Sequence, residues 1–507
     1  MVKKESTDMT SEAPFLLAID QGTTSTRAIL FDASAKPLAT HSIELRQFFP
    51  ANGWVEHGPE EIWQSVLACC RVVMRGIAPE DVAGIGIANQ RETTILWERD
   101  TGRALHPAIV WQDRRTAERC HTLRSMGLEG KVTDKTGLLI DPYFSATKAE
   151  WLLVHVAGAA ERALKGELAV GTVDSWLIHK LTGGALHATD ATNASRTMLL
   201  DLKTLEWDKD LLALFDIAPS LLPEVRNSAG DFGETAAELF GAPIRILGVA
   251  GDQQAAAIGQ ACFSPGDVKA TYGTGCFVLA NTGATVPISQ NRLLATAAWR
   301  LAGKAHYALE GSIFIAGAVV QWLRDALGAI CSAAEVQALV RSAKQADGLY
   351  FVPAFTGLGA PYWDPDARGA ILGMTRDSGA AEIARAGLDA VCYQTRDLLD
   401  AMARDMRATG LGAPSSLKVD GGMVQNDWFC QRLADLTGLP VARPQIVETT
   451  ALGAAYLAGL AAGLFRDTDE IAARWALDRR FEPSLAESSR DALYEGWNRA
   501  VARVRTV

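Results

Sequence analysis

Two stretches of the chain carry the residue types of a phosphate site. Residues 16–32 read Leu-Leu-Ala-Ile-Asp-Gln-Gly-Thr-Thr-Ser-Thr-Arg-Ala-Ile-Leu-Phe-Asp, two apolar runs joined by a turn of glycine and hydroxyl residues. That is the pattern of strand, tight turn and strand. Gly22 can take backbone angles closed to other residues, so the turn can aim successive N–H groups, and the hydroxyls of Thr23, Thr24 and Ser25, at one anion. Asp20, at the end of the first run, would repel a bare phosphate but can hold a hydrated Mg²⁺ against it. Residues 268–281, Val-Lys-Ala-Thr-Tyr-Gly-Thr-Gly-Cys-Phe-Val-Leu-Ala-Asn, repeat the same grammar. A single such turn is as readily an ordinary polar hairpin. Two of them, one near the start of each half, suggest two similar domains closing on one nucleotide.

Other residues could complete a site. The apolar run 82–88 is too short for a helix and ends in Asn89-Gln90-Arg91-Glu92-Thr93, at the mouth of a sheet, where open α/β folds place ligands. Arg91 and Glu92 there can read a ligand or form a structural pair. Gly84 and Gly86 faintly echo a dinucleotide fingerprint, but neither a third glycine nor a helix follows. Residues 245–250 form a strand that delivers Gly251-Asp252-Gln253-Gln254 onto a helix over 255–260. Asp252 read alone is a helix N-cap, worth about 1 kcal/mol. Tyr143 opens a further helix and by itself reads as a core aromatic. Residues 417–426, Leu-Lys-Val-Asp-Gly-Gly-Met-Val-Gln-Asn, are a strand breaking into glycines and then a helix, which lets backbone approach a ligand closely.

The elements that must hold these residues alternate between strands and helices. A length of 507 residues exceeds what one core organises and suits two domains. Ser264-Pro265-Gly266 marks the expected boundary, giving domains over 15–262 and 263–507 after a polar, disordered tail over 1–14. A strand is expected around 38–46, a helix from Pro59 to near Gly76, a strand over 306–309 and a long amphipathic helix over 382–404. The Gly/Ala-rich apolar stretch 451–465 is shorter than the ~20 residues of a membrane span and reads as a buried helix. Two helices and a charged tail finish the chain. With 48% hydrophobic residues, a net charge of −10 and no basic block, nucleic acid and acidic membrane surfaces are poor partners. The eight cysteines are scattered without a C-x-x-C pair, as in reduced cytosolic proteins.

Taken together, Asp20-Gln-Gly-Thr-Thr-Ser, Asn89-Gln-Arg-Glu-Thr-Thr, Tyr143-Phe-Ser-Ala-Thr-Lys, Gly251-Asp-Gln-Gln, Thr271-Tyr-Gly-Thr-Gly-Cys-Phe, Phe355-Thr-Gly-Leu-Gly-Ala-Pro-Tyr-Trp-Asp-Pro and Asp420-Gly-Gly resemble, in family order, the motifs of the FGGY family of carbohydrate kinases. The resemblance runs from about residue 15 to 464. It implies two RNase H-like α/β domains of the actin, Hsp70 and sugar-kinase superfamily with a cleft between them, using ATP and Mg²⁺. The Arg-Glu pair in its Asn-Gln-Arg-Glu-Thr setting points to glycerol over the pentuloses. Carried over residue by residue, the resemblance implies that Arg91, Glu92, Tyr143, Asp252 and Gln253 line a glycerol pocket, with Trp111 and Phe277 on its carbon face and Asp252 as general base. Thr23, Thr24, Ser25 and Arg27 would hold the phosphates with Thr274, and Gly317, Gln321, Gly422 and Asn426 the rest of ADP. It also implies a cytoplasmic homodimer or homotetramer. The chemistry is consistent, since each glycerol hydroxyl needs a donor and an acceptor, and Arg91, Glu92 and Gln253 supply both. The chain lacks G-x-x-x-x-G-K-[ST], whose place the hairpins take. A kinase for another polyol or a pentulose, and a non-catalytic ATP-driven module of the actin or Hsp70 type, are the alternatives.

Overall fold

Both expected hairpins form, and each seeds a sheet. The computed structural model describes residues 14–344 and 348–506, so the tail expected over 1–14 lies, Pro14 apart, outside the described residues. In the first half, β1 (Phe15–Gln21) pairs antiparallel with β2 (Ser25–Phe31), and β3 (Pro37–Glu44) adds antiparallel beyond it. On the other side β4 (Val82–Asn89) runs parallel to β1, and β5 (Ile246–Gly251) parallel to β4, giving the order β5-β4-β1-β2-β3. Side chains alternate across the sheet, so neighbours along β1 serve two cores. Leu17 and Ile19 pack with Ile62, Trp63 and Val66 of α1 (Pro59–Val73), whereas Leu16 and Ala18 face a helix from the far end of the chain. Pro59 at the first helical position, with Glu60 and Glu61 in the first turn, starts α1 as its sequence requires. Helices α2 (Ser145–His155) and α3 (Asp252–Gly259) complete what the site needs from this half. The expected helix over 255–260 starts earlier, because the chain leaves β5 directly into helical geometry at Asp252.

The second sheet contains β6 (Val268–Tyr272), β7 (Cys276–Gly283), β8 (Leu294–Leu301), β9 (Lys304–Ile313), β10 (Leu417–Asp420), β11 (Val441–Pro444) and β12 (Leu477–Phe481). Their order is β8-β9-β7-β6-β10-β11-β12. Its middle five strands repeat the first sheet: an antiparallel hairpin, a third antiparallel strand beside it, and two parallel strands on the opposite flank. Helices α4 (Gly317–Asp325), α5 (Ala380–Ala408), α6 (Asp427–Thr437) and α7 (Thr449–Ala462) belong to this half of the sequence.

Helix α7 is the stretch read as a buried helix, and it packs on β1, β4 and β5 of the first sheet and on α3. Contact is backbone to backbone. A Cβ on Gly86 would overlap the carbonyl of Ala454, and one on Gly453 would overlap that of Ala255. The glycine behind the dinucleotide echo is therefore a packing position. The charged end of the chain is not a tail: after β12, α8 (Glu487–Val504) buries Trp497, Ala500 and Val501 in the second core. Among the described residues no helix is long and apolar enough to cross a membrane. All eight cysteines are free thiols, and only Cys331 is exposed.

Candidate functional site

Two cavities meet at the turn of the second hairpin. The larger, of about 530 Å³, is lined by Gly273, Thr274, Gly317, Gln321, Gly422 and Asn426 among others. The smaller, of about 230 Å³, is lined by Thr23, Thr24, Arg91, Glu92, Trp111, Tyr143, Asp252, Gln253, Thr274 and Phe277, and also by Gly273, Gly275, Thr271, Gln47 and Gln112. Gly273 and Thr274 line both. The residues expected around a polyol are thus gathered in one cavity, and most of those expected around the nucleotide in the other. Ser25 and Arg27 line neither. Ser25 closes the first turn by accepting from Gly22 N–H at 2.9 Å, and Arg27 is turned to Glu448, with which it forms an ion pair.

The small cavity sits where parallel strands end. Asn89 and Gly251 are partners in the register of β4 and β5, so the residues just beyond them, Arg91 and Asp252, emerge side by side at the carboxyl edge of the sheet. Asp252 is the first residue of α3, with Gly251 as its cap. Its Oδ1 accepts from Gln253 N–H at 2.7 Å and lies 3.1 Å from Arg91 Nε. Gln253 Oε1 accepts from the buried Lys269 Nζ at 2.5 Å, which leaves its Nε2 as the free donor. One wall is aromatic: the ring of Trp111 lies 5.5 Å from that of Tyr143 and 5.9 Å from that of Phe277, both edge-on. Trp111 Nε1 donates to Thr23 Oγ1 at 2.8 Å, tying this wall to the first hairpin.

Glu92 is held in an unusual backbone state, with φ of 60°, which costs a non-glycine residue on the order of 1 kcal/mol or more. Its carbonyl takes three donors: Thr94 Oγ1 at 2.9 Å, Ser145 Oγ at 3.1 Å and Lys148 Nζ at 3.2 Å. Lys148, at the start of α2, also donates to the Tyr143 carbonyl at 2.6 Å. Burial pushes the Lys148 ammonium down to about 8, against the pull of Glu92 and Asp113.

Two functional candidates escaped the sequence reading. Arg196, in the loop after a short helix, donates from Nε to Glu92 Oε1 at 2.6 Å and from Nη2 to Glu310 Oε1 at 2.9 Å. Glu310, on β9 of the other half, also takes both terminal nitrogens of Arg91, Nη2 at 3.1 Å. All four side chains are buried. Burial pushes the Glu92 carboxyl up, against Arg196 and Arg91. At Glu310 burial acts the same way, but Arg196 and Arg91 outweigh it and hold the carboxyl below its usual range.

In the large cavity, α4 starts against the second turn: Gly317 N–H donates to the Gly273 carbonyl at 2.9 Å and Ala318 N–H to that of Thr274 at 3.0 Å. Asn426 caps α6 by accepting from Phe429 N–H at 3.1 Å. At the mouth of the first hairpin, the Asp20 carboxylate has no hydrogen-bond partner among the described residues. Burial pushes it up to about 6, with Arg27 opposing and Asp252 adding to the shift. Among the described residues no group of three or more His, Cys, Asp or Glu could by itself hold a metal. A lone carboxylate beside a phosphate turn suits Mg²⁺, which keeps most of its waters and takes one or two carboxylates plus phosphate oxygens.

The chain matches known proteins over nearly its whole length. Residues 15–259 match the N-terminal domain, and residues 268–462 the C-terminal domain, of the FGGY family of carbohydrate kinases. The chain is similar to the glycerol kinase of Ectopseudomonas mendocina, 58% identical over 494 residues, covering 97% of this chain and 99% of that protein. Among solved structures it resembles the glycerol kinase of Plasmodium falciparum with ADP, at a TM-score of 0.90 and 35% identity over 97% of this chain and 99% of that one. It also resembles the xylulose kinase of Rhodospirillum rubrum, at a TM-score of 0.81 and 25% identity over 96% and 98%.

Proposed function

The chain belongs to the FGGY family of carbohydrate kinases, and from that premise we propose that it transfers the γ-phosphoryl of ATP to a terminal hydroxyl of glycerol, giving sn-glycerol 3-phosphate. The observation that carries this reading is the junction of the two cavities at Gly273 and Thr274. A nucleotide whose base side fills the larger cavity brings its terminal phosphate to the turn that also walls the smaller one. The relatives of similar length at 58% identity are glycerol kinases, which favours glycerol over a pentulose.

In this reading Glu92 accepts from a glycerol hydroxyl, Gln253 Nε2 donates to one, and the remaining N–H of Arg91 serves a third, while Trp111 and Phe277 cover the carbon chain. Asp252 takes the proton of the terminal hydroxyl as its oxygen bonds to the γ-phosphorus and the bond to the ADP oxygen breaks. Removing that proton contributes ~10²–10⁴-fold. The rest comes from positioning, because phosphoryl transfer has a loose transition state. Thr23, Thr24, Thr274 and the turn N–H groups receive the phosphates. Asp20 would hold Mg²⁺, which supplies charge neutralisation on the phosphate oxygens. Arg27, paired with Glu448, would join Thr23, Thr24 and Thr274 by turning toward the phosphates. A cytoplasmic homodimer or homotetramer completes the proposal.

The test is a substrate panel with ATP: glycerol, erythritol, dihydroxyacetone, xylulose and ribulose. Glycerol should give the highest kcat/KM. A pentulose ahead of glycerol, or ADP release that glycerol does not stimulate, would sink the reading.

A further inference from the structure

The charges around the small cavity, buried except for the partly exposed Asp252, alternate in one chain: Asp252, Arg91, Glu310, Arg196, Glu92. Its two ends are carboxylates that line the cavity, as does Arg91, whereas Glu310 and Arg196 line no part of it. The side chains of Glu310 and Arg196 are both 0% exposed. Four of the five residues come from the first half of the sequence. Glu310 comes from β9 of the second sheet and bonds to both arginines. Resting on the glycerol reading above, we propose that Arg196 and Glu310 are positioning residues: they set the spacing between Glu92 and Asp252, and they make that spacing depend on the docking of the second domain.

Three observations carry this. Glu92 sits at a φ that an ordinary residue avoids, and its Oε1 is fixed by Arg196, so Oε2 is the oxygen presented to a ligand. Arg91 spends Nε on Asp252, Nη1 on Glu310 and Gln254, and Nη2 on Glu310, which leaves it no rotational freedom. Buried ion pairs are also poor stabilisers, since desolvation offsets most of their attraction and apolar replacements are often neutral. A five-member chain of this kind therefore makes more sense as a device for holding geometry than as cement for the interface. Glu310 is the joint, because its carboxylate spans two arginines that lie 105 residues apart in the sequence.

The experiment uses the full-length protein, with glycerol phosphorylation by the unaltered enzyme established first; failure there removes the functional reading itself. The variants are Arg196→Lys, Glu310→Gln and their double. Arg196→Lys keeps the charge but cannot fork between two carboxylates; Glu310→Gln keeps the shape and removes the charge between the guanidinium groups. Each single variant should raise the glycerol KM about tenfold or more, leave ADP binding by calorimetry within about twofold, and narrow the preference for glycerol over dihydroxyacetone. The double should fall well short of the product of the singles, because one chain is broken twice. A smaller rise in glycerol KM in a variant that still binds ADP would overturn the proposal, as would multiplicative effects in the double. Loss of glycerol and ADP binding together would also overturn it, by assigning the chain to folding of the interface.

Discussion

Replacing Asp252 by asparagine separates its chemistry from its place in the fold. The side chain begins α3, and its Oδ1 serves two neighbours, Gln253 N–H at 2.7 Å and Arg91 Nε at 3.1 Å. Asparagine keeps an oxygen there for both. What it loses is the charge, and the pair with Arg91 is partly open to solvent, the Asp252 side chain being 27% exposed. Pairs of that kind are worth about 0.2–1 kcal/mol, and a carboxylate in a first helical turn about 0.3–1 kcal/mol. Arg91 retains Glu310. The fold should therefore lose less than about 2 kcal/mol, a fall of a few degrees in Tm. Catalysis should lose far more, because an amide cannot take the hydroxyl proton: ~10²–10⁴-fold in kcat, or about 3–5 kcal/mol in barrier. The assay is ADP release at saturating ATP and glycerol, read beside a thermal melt. A folded Asp252→Asn variant with kcat within tenfold of the parent would refute the assignment and leave Asp252 as a helix-start residue.

Glu92→Gln keeps an acceptor for Arg196 but puts a donor where glycerol needs an acceptor, so the glycerol KM should rise about tenfold or more while ADP binding by calorimetry is unchanged. Gly317→Ala forces a methyl against the Gly273 carbonyl and should raise the ATP KM more than the glycerol KM; equal effects would mean the turn moves as one body. Asp397 in α5, which accepts from Tyr494 at 2.5 Å and from Trp497 and Tyr362 at 3.0 Å, is pushed by burial up to about 6, although these donors oppose the shift. A carboxyl whose folded value exceeds its unfolded one contributes stability at low pH, and that stability is lost as pH rises from about 4 through 6, on the order of 3 kcal/mol. The Tm of Asp397→Asn should therefore gain on the parent between pH 5 and pH 8, and parallel curves at the two pH values would refute the sign.

How much of this was legible follows from how local each signal is. The two hairpins could be read because turn chemistry and alternation lie within a few residues, and the same holds for α1, whose proline and glutamates announce its start. α8 was readable and was missed: Leu493, Trp497, Ala500, Val501 and Val504 recur at helical spacing, but the charges between them gave the segment the look of a tail. Arg196 and Glu310 were of a different kind. Glu310 acts on residues 219 and 114 positions away, and Arg196 on one 104 away, so no window along the chain contains their meaning. Glu310 did leave a trace, a lone charge inside the apolar run of β9 whose neighbours are buried, where an ionised side chain needs a partner. Arg196 left none.

Under the proposed function, the duplicated fold lets two equivalent strands serve different parts of the substrates. β4 and β10 are equivalent, each the parallel neighbour of its hairpin's first strand. β4 runs out into Asn89-Gln90-Arg91-Glu92, whereas β10 runs out into Asp420-Gly421-Gly422. A small polyol offers only hydroxyls, which must be matched one by one with side-chain donors and acceptors held in place. A nucleotide offers phosphates, which are best met by backbone brought close, and glycines permit that approach. Asp420 fits this division, since its carboxylate is turned inward to Gln260 Nε2 at 2.8 Å and leaves Gly422 to face the cavity. Glu310 then has a place in the scheme. It is a carboxylate that the second half sends across to the first, and it arrives on the two arginines that are bonded to Asp252 and Glu92.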